Sequence, residues 1–255
     1  MENKDYGAII GSPKAPYINS LAASATLADH YYALHSASLP NYLGLISGSR
    51  FGLVDSCVEC HFRARNIVDQ LEAAHLSWKG YMEGLPTPCY SGAQSGMYVK
   101  RHNPFFYFDD VIKNPARCSK IVSFSDLSAD LAAGNAPMFM WLTPDVCHDM
   151  HSCSVADGDR FLAGLVPRLL AILGPSGVLF LTWDEGFTTK GCCDKAMGGH
   201  VPLIVAGPAA RAGFRSKTSY DHYSVLRTIE EAWGMPLLAD AGCSCTPPIL
   251  DAFQR

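Results

Sequence analysis

Charged side chains are scarce in this sequence. Asp, Glu, Lys and Arg make up 17% of its 255 residues, against about 25% in an average globular protein. The 20 basic and 24 acidic residues give a formal net charge of −4. Lys and Arg are spread along the chain rather than clustered, and tracking a phosphate backbone needs clustered positive charge. No nucleic-acid partner is therefore expected.

Long hydrophobic runs are also missing. The longest apolar stretches, Met138–Leu142 and Val178–Trp183, have the length of strands, whereas a membrane-spanning helix needs about 18 consecutive apolar residues. No transmembrane segment is expected. The start, Met1–Asp5, has neither the basic region nor the apolar stretch of a secretory signal peptide. If the protein is secreted, its leader is absent from this chain.

Apolar residues nevertheless make up 48% of the chain, enough for the core of one large domain over residues 1–255. Continuous apolar runs alternate with amphipathic segments, a pattern typical of buried parallel strands in an α/β protein. The predicted strands are Ser77–Met82, Pro137–Pro144, Gly177–Trp183 and Val201–Ala206. The predicted helices are Ala15–Leu34, Ser38–Gly48, Asn66–His75, Leu127–Ala133, Asp159–Leu173 and Tyr223–Trp233.

Cysteine is abundant, with ten residues. The close pairs are Cys57/Cys60, Cys147/Cys153, Cys192/Cys193 and Cys243/Cys245, with Cys89 and Cys118 left over. The CxxC element at residues 57–60 suits a zinc knuckle or a redox motif, but no second CxxC or HxxxH completes a zinc finger. We favour a secreted chain stapled by disulfides. Because adjacent cysteines cannot easily bond to each other, we expect Cys192 and Cys193 to pair with Cys243 and Cys245.

Polar side chains collect beside the predicted strands. Asp184 and Glu185 come directly after one apolar strand, and the segment Cys147–His151 follows another. Function gathers at the carboxyl ends of strands in α/β sheets, and the His-Asp-Met-His spacing suits metal ligands. Plain structural explanations are solvated loop charges for the acidic pair and a disulfide-pinned polar loop for the second segment. By themselves, His200 would be a structural histidine and Ser38 a helix N-cap.

Ordered segments across nearly the whole chain resemble a known family. The matching segments are Glu2-Asn3-Lys4, Ala15–Ala22, Ser38–Leu43, Ser47-Gly48, Arg101–Pro104, Asp149–His151, Gly158-Asp159, Thr182–Glu185 and His222–Thr228. Any one of them is weak, but the ordered set is specific. The chain resembles the phosphoesterase family of bacterial acid phosphatases and phospholipases C, within the alkaline-phosphatase-like superfamily. It is most similar to the small secreted acid phosphatases of that family.

The resemblance implies an α/β three-layer sandwich with a mostly parallel central sheet flanked by helices. The family has an apolar strand immediately before its Glu-Asn pair, whereas this chain begins at that pair. We therefore expect the sheet to lack its first strand, and Glu2 and Asn3 to lack that anchor. Two local departures are Ser36-Ala37, where relatives often have His-Pro, and Gly186, where they often have a further Asp.

The resemblance also implies roles for individual residues. The implied catalytic residues are Ser38 as nucleophile, Asn41 as a ligand of a phosphoryl oxygen, His102 and His151. The implied metal ligands are Glu2, Asn3, Asp184 and Glu185, with Asp149 and His200 as candidates for a second metal. The implied substrate contacts are Asn41, His102 and His222.

These residue types suit phosphoryl transfer, which needs an in-line nucleophile and positive charge on the phosphoryl oxygens. We predict a secreted, monomeric, metal-dependent phosphomonoesterase, an acid phosphatase that forms a phosphoseryl intermediate. Its substrate would be a small phosphate ester, a phosphoinositide or a phospholipid. Oxygen ligands favour Mg or Ca and the histidines favour Zn, so one or two divalent ions are expected.

Three other functions stay open at this point, one of them a disulfide-stapled interaction domain with a relic site. A phospholipase C would need an apolar rim facing lipid, which Phe105–Phe108 could supply, although a buried strand is the preferred interpretation of that run. An inactive relative that only binds phosphate or a polyanion is the second alternative, made plausible by the missing strand.

Overall fold

The computed structural model describes residues 1–192 and 195–254. Its α-helices are, in chain order, Tyr6–Ile9 (α1), Pro16–Ser24 (α2), Ser38–Ser47 (α3), Ile67–Ala73 (α4), Asp109–Ile112 (α5), Pro115–Cys118 (α6), Phe124–Ala133 (α7), Val155–Ala171 (α8) and His222–Ala232 (α9). Its strands are Thr26–Tyr32 (β1), Trp78–Met82 (β2), Gln94–Ser95 (β3), Tyr98–Val99 (β4), Ile121–Val122 (β5), Phe139–Thr143 (β6), Leu179–Thr182 (β7), Leu203–Ala206 (β8) and Phe214–Asp221 (β9). Short 3₁₀ helices cover Lys100–His102, Pro104–Tyr107, Ala239–Gly242 and Leu250–Ala252.

The strands form two main sheets that pair differently. One has the order β5-β2-β6 and is parallel throughout. The other has the order β7-β8-β1-β9, in which β8 runs antiparallel to both neighbours and β9 runs parallel to β1. The described residues between β7 and β8 include no helix, which fits an antiparallel return, because a parallel neighbour needs a longer crossover. The α/β fold with flanking helices is confirmed, with mixed pairing in this second sheet.

The first two residues lie between the two sheets. The Met1 ammonium group donates to the Thr182 carbonyl oxygen at 3.0 Å, and the Asp184 N–H donates to the Met1 carbonyl oxygen at 2.9 Å. On the other side, the Glu2 N–H donates to the Asp149 carbonyl oxygen at 2.8 Å. Main-chain bonds to the end of β7 and to the loop after β6 therefore anchor Glu2, although the strand expected before it is not among the described residues.

One predicted element is wrong in its second half. The helix expected over Ala15–Leu34 ends at Ser24, and Thr26–Tyr32 forms β1. Leu27 and Tyr31 are four residues apart, which also fits a helix, so spacing alone did not separate the two structures. In the structure β1 lies between β8 and β9 with every residue except His30 buried. Burial on both faces of a central strand removes the alternation that would have marked it.

The other predicted helices and strands are present with shifted ends. The run Phe105–Phe108 is fully buried, as preferred, but most of it forms a 3₁₀ helix rather than a strand. It therefore offers no apolar rim to a lipid. Within the described part of the chain, no helix combines the length and hydropathy needed to cross a bilayer.

Among the described residues there are four disulfides, three of which close loops with sequence separations of 2 to 6, while the fourth joins cysteines 29 residues apart. The bonded pairs are Cys57–Cys60, Cys89–Cys118, Cys147–Cys153 and Cys243–Cys245. The predicted pairing of Cys243 and Cys245 with Cys192 and Cys193 is wrong, because the first two lie 5.1 Å apart at Cα and bond to each other. Cys193 lies outside the described residues. The bond at residues 57–60 argues against a zinc knuckle there.

Gly48 ends α3, the helix that begins at Ser38. It has a φ of 70° and its N–H donates to the Gly44 carbonyl oxygen. A Cβ at this position would lie 2.2 Å from the Leu238 carbonyl oxygen, whereas Gly52, also with a φ of 70°, has open space around it.

We predict that Gly48→Ala lowers the free energy of unfolding by at least about 2 kcal/mol, since left-handed strain and the clash add. The matched control, Gly52→Ala, should cost about 1 kcal/mol from backbone strain alone. Urea unfolding of both variants measures the difference. Equal losses of unfolding free energy in the two variants would show that the contact with the Leu238 carbonyl oxygen does not restrict residue 48 to glycine.

Candidate active site

Four buried carboxylates meet at the carboxyl ends of β6 and β7. Asp184 and Glu185 follow β7, Asp149 lies in the loop after β6, and Glu2 stands between them. Their exposed fractions range from 0% for Glu2 and Asp149 to 7% for Glu185. The structure thus brings together four of the residues that the resemblance implied as metal ligands.

Ser38 lies directly among these carboxylates. As the first residue of α3, it places its Oγ 3.2 Å from Glu2 Oε2 and 3.1 Å from Glu185 Oε1. A hydroxyl has one hydrogen to donate, so it can satisfy only one of these two oxygens. Neighbouring ligands of an octahedral ion bound at about 2.1 Å lie roughly 3 Å apart. Each of the two carboxylate oxygens therefore lies at the distance from Ser38 Oγ that two ligands of one cation would have.

Unpaired oxygens support the same interpretation. Asp184 Oδ2 and Glu185 Oε2 are buried without a hydrogen-bond partner, which is costly for a carboxylate unless a cation satisfies it. Two sets of three side chains around Ser38 each have donor atoms within 4.8 Å of one another. One set is Glu2 with Asp184 and Glu185, and the other is Glu2 with His102 and Asp149. The first offers only oxygens and suits a hard ion, whereas the second includes an imidazole nitrogen.

Burial makes these acids weak. Desolvation raises the pKa of Glu2 well above its usual value and also raises that of Asp184. It raises the pKa of Glu185 to about 8, with the Asp184 charge as the second cause, and that of Asp149 to about 6. These carboxylates can be ionised together only if positive charge lies nearby, and the Met1 ammonium supplies only part of that charge.

His102 connects two of the carboxylates. Its Nδ1 lies 3.1 Å from Asp149 Oδ2 and its Nε2 lies 3.2 Å from Glu2 Oε1. Burial lowers the pKa of His102 to about 3, so the ring is neutral. Tyr42 stacks beside this ring and donates its hydroxyl hydrogen to Glu2 Oε1 at 2.6 Å. His102 was expected near the site, whereas Tyr42, one turn after Ser38 on α3, was not.

A histidine, His151, and two basic side chains, Lys4 and Arg101, lie at the mouth of the site. The His151 N–H donates to Asp149 Oδ1 at 2.7 Å, while its ring is exposed, with Nε2 3.3 Å from an Arg101 guanidinium nitrogen. Lys4 donates to the Met150 carbonyl oxygen at 2.8 Å. Lys4 and Arg101 were missed as functional residues, although each follows or precedes a predicted site residue in sequence. Both can attract a phosphate.

The side chain of Asn41 is bonded to the main chain, whereas a contact with a phosphoryl oxygen was expected. Its Oδ1 accepts from the Leu34 and His35 N–H groups at 2.8 and 3.0 Å, and its Nδ2 donates to the His35 and Ala37 carbonyl oxygens at 2.7 and 2.9 Å. Both amide hydrogens are therefore used, and none is left for a phosphoryl oxygen. Asn41 fixes the turn that delivers Ser38.

Two histidines and Asn3 also differ from the expected arrangement. His200 donates through Nε2–H to the Asp29 carbonyl oxygen, 2.9 Å away, and stacks on Tyr6, so the structure does not bring it into the carboxylate group. His222 is fully buried, with Nε2 2.6 Å from the Asp184 carbonyl oxygen, so it supports that residue from behind. The Asn3 N–H donates to Asp184 Oδ1, from a backbone with a φ of 49°.

Comparison with known proteins fits this geometry. The model of the Phosphoesterase family matches residues 10–236. The chain belongs to the Phosphoesterase family. A phosphatidylinositol-3-phosphatase from Mycobacterium tuberculosis is 31% identical over 99% of this chain and 80% of its own length. The acid phosphatase of Aspergillus niger is 29% identical over 95% of this chain, which spans 59% of that protein. The chain is therefore a phosphoric ester hydrolase by family.

Solved structures show the same fold at low identity. A protein of the alkaline phosphatase superfamily from Vibrio parahaemolyticus superposes with a TM-score of 0.64 at 12% identity, covering 96% of this chain and 69% of that one. Murine ectonucleotide pyrophosphatase/phosphodiesterase 5 also gives 0.64 at 12% identity, covering 99% and 98%. The alkaline-phosphatase-like fold predicted for the chain is confirmed.

We predict that Asn41→Ala lowers the free energy of unfolding by about 3 kcal/mol or more, because it strands buried backbone groups. The turnover number should fall with the displaced Ser38. Asn41→Asp keeps both acceptor contacts and should lose less stability. Chemical unfolding and steady-state kinetics check this. A stable Asn41→Ala variant with only a raised KM would instead assign Asn41 to the substrate.

Proposed function

We propose that this chain is a metal-dependent phosphomonoesterase in which Ser38 attacks phosphorus. One observation carries the proposal: the Ser38 Oγ lies within 3.2 Å of two buried carboxylates, Glu2 and Glu185. Neighbouring carboxylates repel one another, and one serine hydroxyl can donate to only one of them. A structural role alone therefore does not explain this arrangement. Ser38 is well placed to share a divalent cation with these carboxylates.

The residues that would hold the ion are Glu2, Asp184 and Glu185, with Asn3 beside them. When bound, a divalent ion supplies the positive charge that lowers the pKa of the serine hydroxyl and offsets charge on the phosphoryl oxygens. Asp149 and His102 form a second group with Glu2 that suits a borderline ion such as Zn. One or two ions are consistent with these donors.

The reaction then follows from the positions of the side chains. The Ser38 Oγ forms the bond to phosphorus while its proton passes to a carboxylate oxygen within 3.2 Å. Lys4 and Arg101 at the mouth hold non-bridging oxygens. The ester P–O bond breaks, and His151, the exposed histidine, donates a proton to the leaving oxygen. Water then attacks the phosphoserine and gives a proton to the deprotonated His151. The bond between Ser38 Oγ and phosphorus breaks, the carboxylate returns its proton to Ser38 Oγ, and phosphate is released.

We also propose that the protein works outside the cytosol, as a secreted enzyme. Four disulfides support this, because such bonds persist in oxidising compartments. A single domain and a monomeric state remain predictions.

We predict that Ser38→Ala reduces hydrolysis of p-nitrophenyl phosphate by roughly 10³-fold or more, since it removes the nucleophile. The control is Ser47→Ala, on the same helix, whose hydroxyl donates to the Leu43 and Ser49 carbonyl oxygens and accepts from the Ser49 N–H, all main-chain groups. Chelator should abolish wild-type activity, and Mg, Mn, Ca or Zn should restore it.

The outcomes of this experiment separate the candidate functions. A Ser38→Ala variant that keeps a tenth of the activity would exclude the serine mechanism. Activity insensitive to chelator would exclude metal dependence. Wild-type protein that binds inorganic phosphate but turns over no ester with any metal would favour the inactive binding relative.

A phosphoinositide monoester is a second candidate substrate. Phe187 lies two residues after Glu185, is 75% exposed, and has the Lys4 ammonium 5.1 Å from its ring centroid. An exposed aromatic ring next to a cation suits a lipid surface that carries phosphate. The 31% identical relative is named a phosphatidylinositol-3-phosphatase.

We predict that Phe187→Ser lowers hydrolysis of a phosphoinositide monophosphate in vesicles by about tenfold, with p-nitrophenyl phosphate hydrolysis unchanged. Leu250→Ser, which removes another exposed apolar side chain, should change neither rate. Equal loss on both substrates would contradict lipid contact. Cleavage of phosphatidylcholine, a diester, would point to a phospholipase C instead.

A further inference from the structure

A second group of candidate metal ligands lies outside the carboxylates around Ser38. Glu83 directly follows β2, and Asp145 and His148 lie in the loop after β6. Their donor atoms come within 4.8 Å of one another. The two strands are parallel neighbours, with Met82 paired to Thr143, so the sheet itself brings Glu83 beside the start of the loop.

The distances within this group suit a tetrahedral ion. His148 Nδ1 lies 2.9 Å from Glu83 Oε1 and 3.7 Å from Asp145 Oδ1. Ligands of a tetrahedral zinc ion bound at about 2.1 Å lie roughly 3.4 Å apart, which falls between these two values. Small side-chain adjustments would therefore admit an ion.

The main chain and an aromatic ring hold the three side chains in place. Asp145 Oδ1 accepts from the N–H groups of Cys147 and His148 at 2.9 and 3.0 Å, and Glu83 Oε2 accepts from the Asp145 N–H at 3.0 Å. The His148 ring stacks on Phe161, with centroids 4.4 Å apart and an angle of 10° between the ring planes. A site held in this way before an ion arrives loses little conformational entropy on binding.

Charge balance favours a cation here. Over residues 1–192 and 195–254, the only ion pairs of Glu83 and Asp145 are with His148. Two carboxylates therefore share one imidazole. Asp29 shows the contrast, because Arg215 and Lys217 both pair with it. The three side chains are 15–38% exposed, so an ion can reach them from solvent.

We propose that Glu83, Asp145 and His148 bind a structural divalent ion, with Zn²⁺ or Mn²⁺ as the class that one nitrogen and two carboxylate ligands favour. The ion ties the end of β2 to the loop after β6. That loop carries Asp149 and His151, so the site would hold the loop in place. The proposal uses no residue of the Ser38 group and does not depend on the phosphatase assignment.

The test counts zinc ions on the full chain. Protein stripped with chelator is dialysed against Zn²⁺, and bound metal is measured by mass spectrometry, with thermal unfolding of the same samples. His148→Ala and Glu83→Gln should each bind one equivalent less than wild type and lose part of the zinc-dependent rise in Tm. Glu185→Gln should keep the part of the zinc-dependent rise in Tm that His148→Ala removes.

His61→Ala is the matched control. His61 is 37% exposed and lies 3.9 Å from Asp109, a histidine–carboxylate pair that belongs to none of the groups of candidate metal ligands among the described residues. It should bind as much zinc as wild type. Unchanged zinc stoichiometry in both His148→Ala and Glu83→Gln would overturn the proposal and leave an ordinary ion pair. Because Glu83→Gln keeps the side-chain volume, its result stands even where His148→Ala fails to fold.

Discussion

Mutual repulsion of buried carboxylates is the constraint on which this site depends. Two unit charges 4 Å apart repel by about 4 kcal/mol at an effective dielectric constant of 20, and Glu2, Asp184 and Glu185 share one small buried space. Local hydrogen bonds offset part of that repulsion. The Asn3 N–H donates to Asp184, and the Tyr42 hydroxyl donates to Glu2. What remains is relieved by protonation or by a cation, which is why the unpaired oxygens are informative.

The same constraint explains how the ends of the two sheets are joined. Glu2 contributes to both groups of candidate ligands near Ser38. Its backbone is bonded to the loop after β6, while that of Met1 is bonded to Thr182 at the end of β7 and to Asp184 beyond it. Three main-chain groups of two residues thus fix one carboxylate between the sheets. A side chain on a freely moving terminus would lose conformational entropy on binding an ion, and these bonds remove much of that loss.

The sequence allowed much of the site to be predicted, because strand ends and acidic pairs are local signals. Asp184 and Glu185 follow an apolar run and lie where the pattern indicated. Glu2 was reached only through the resemblance, since a terminal acid carries no local signal. Asn41 shows the limit, because its type suits a phosphate contact and its saturation by four main-chain groups appears only in three dimensions. The strand β1 was missed because burial on both faces removed its alternation.

The loop after β6 shows how one short segment serves two places. His148 turns toward Glu83, whereas Asp149, the next residue, turns inward to His102. Met150 then takes a left-handed φ of 79°, which costs energy for a residue with a side chain, and the His151 N–H returns to Asp149 Oδ1. Gly158 on α8 makes room for the Met150 side chain, since a Cβ there would lie 2.5 Å from it. The disulfide between Cys147 and Cys153 spans this reversal. Whatever holds the outer side of the loop therefore also fixes the carboxylate on its inner side, because the residues between them have little conformational freedom left.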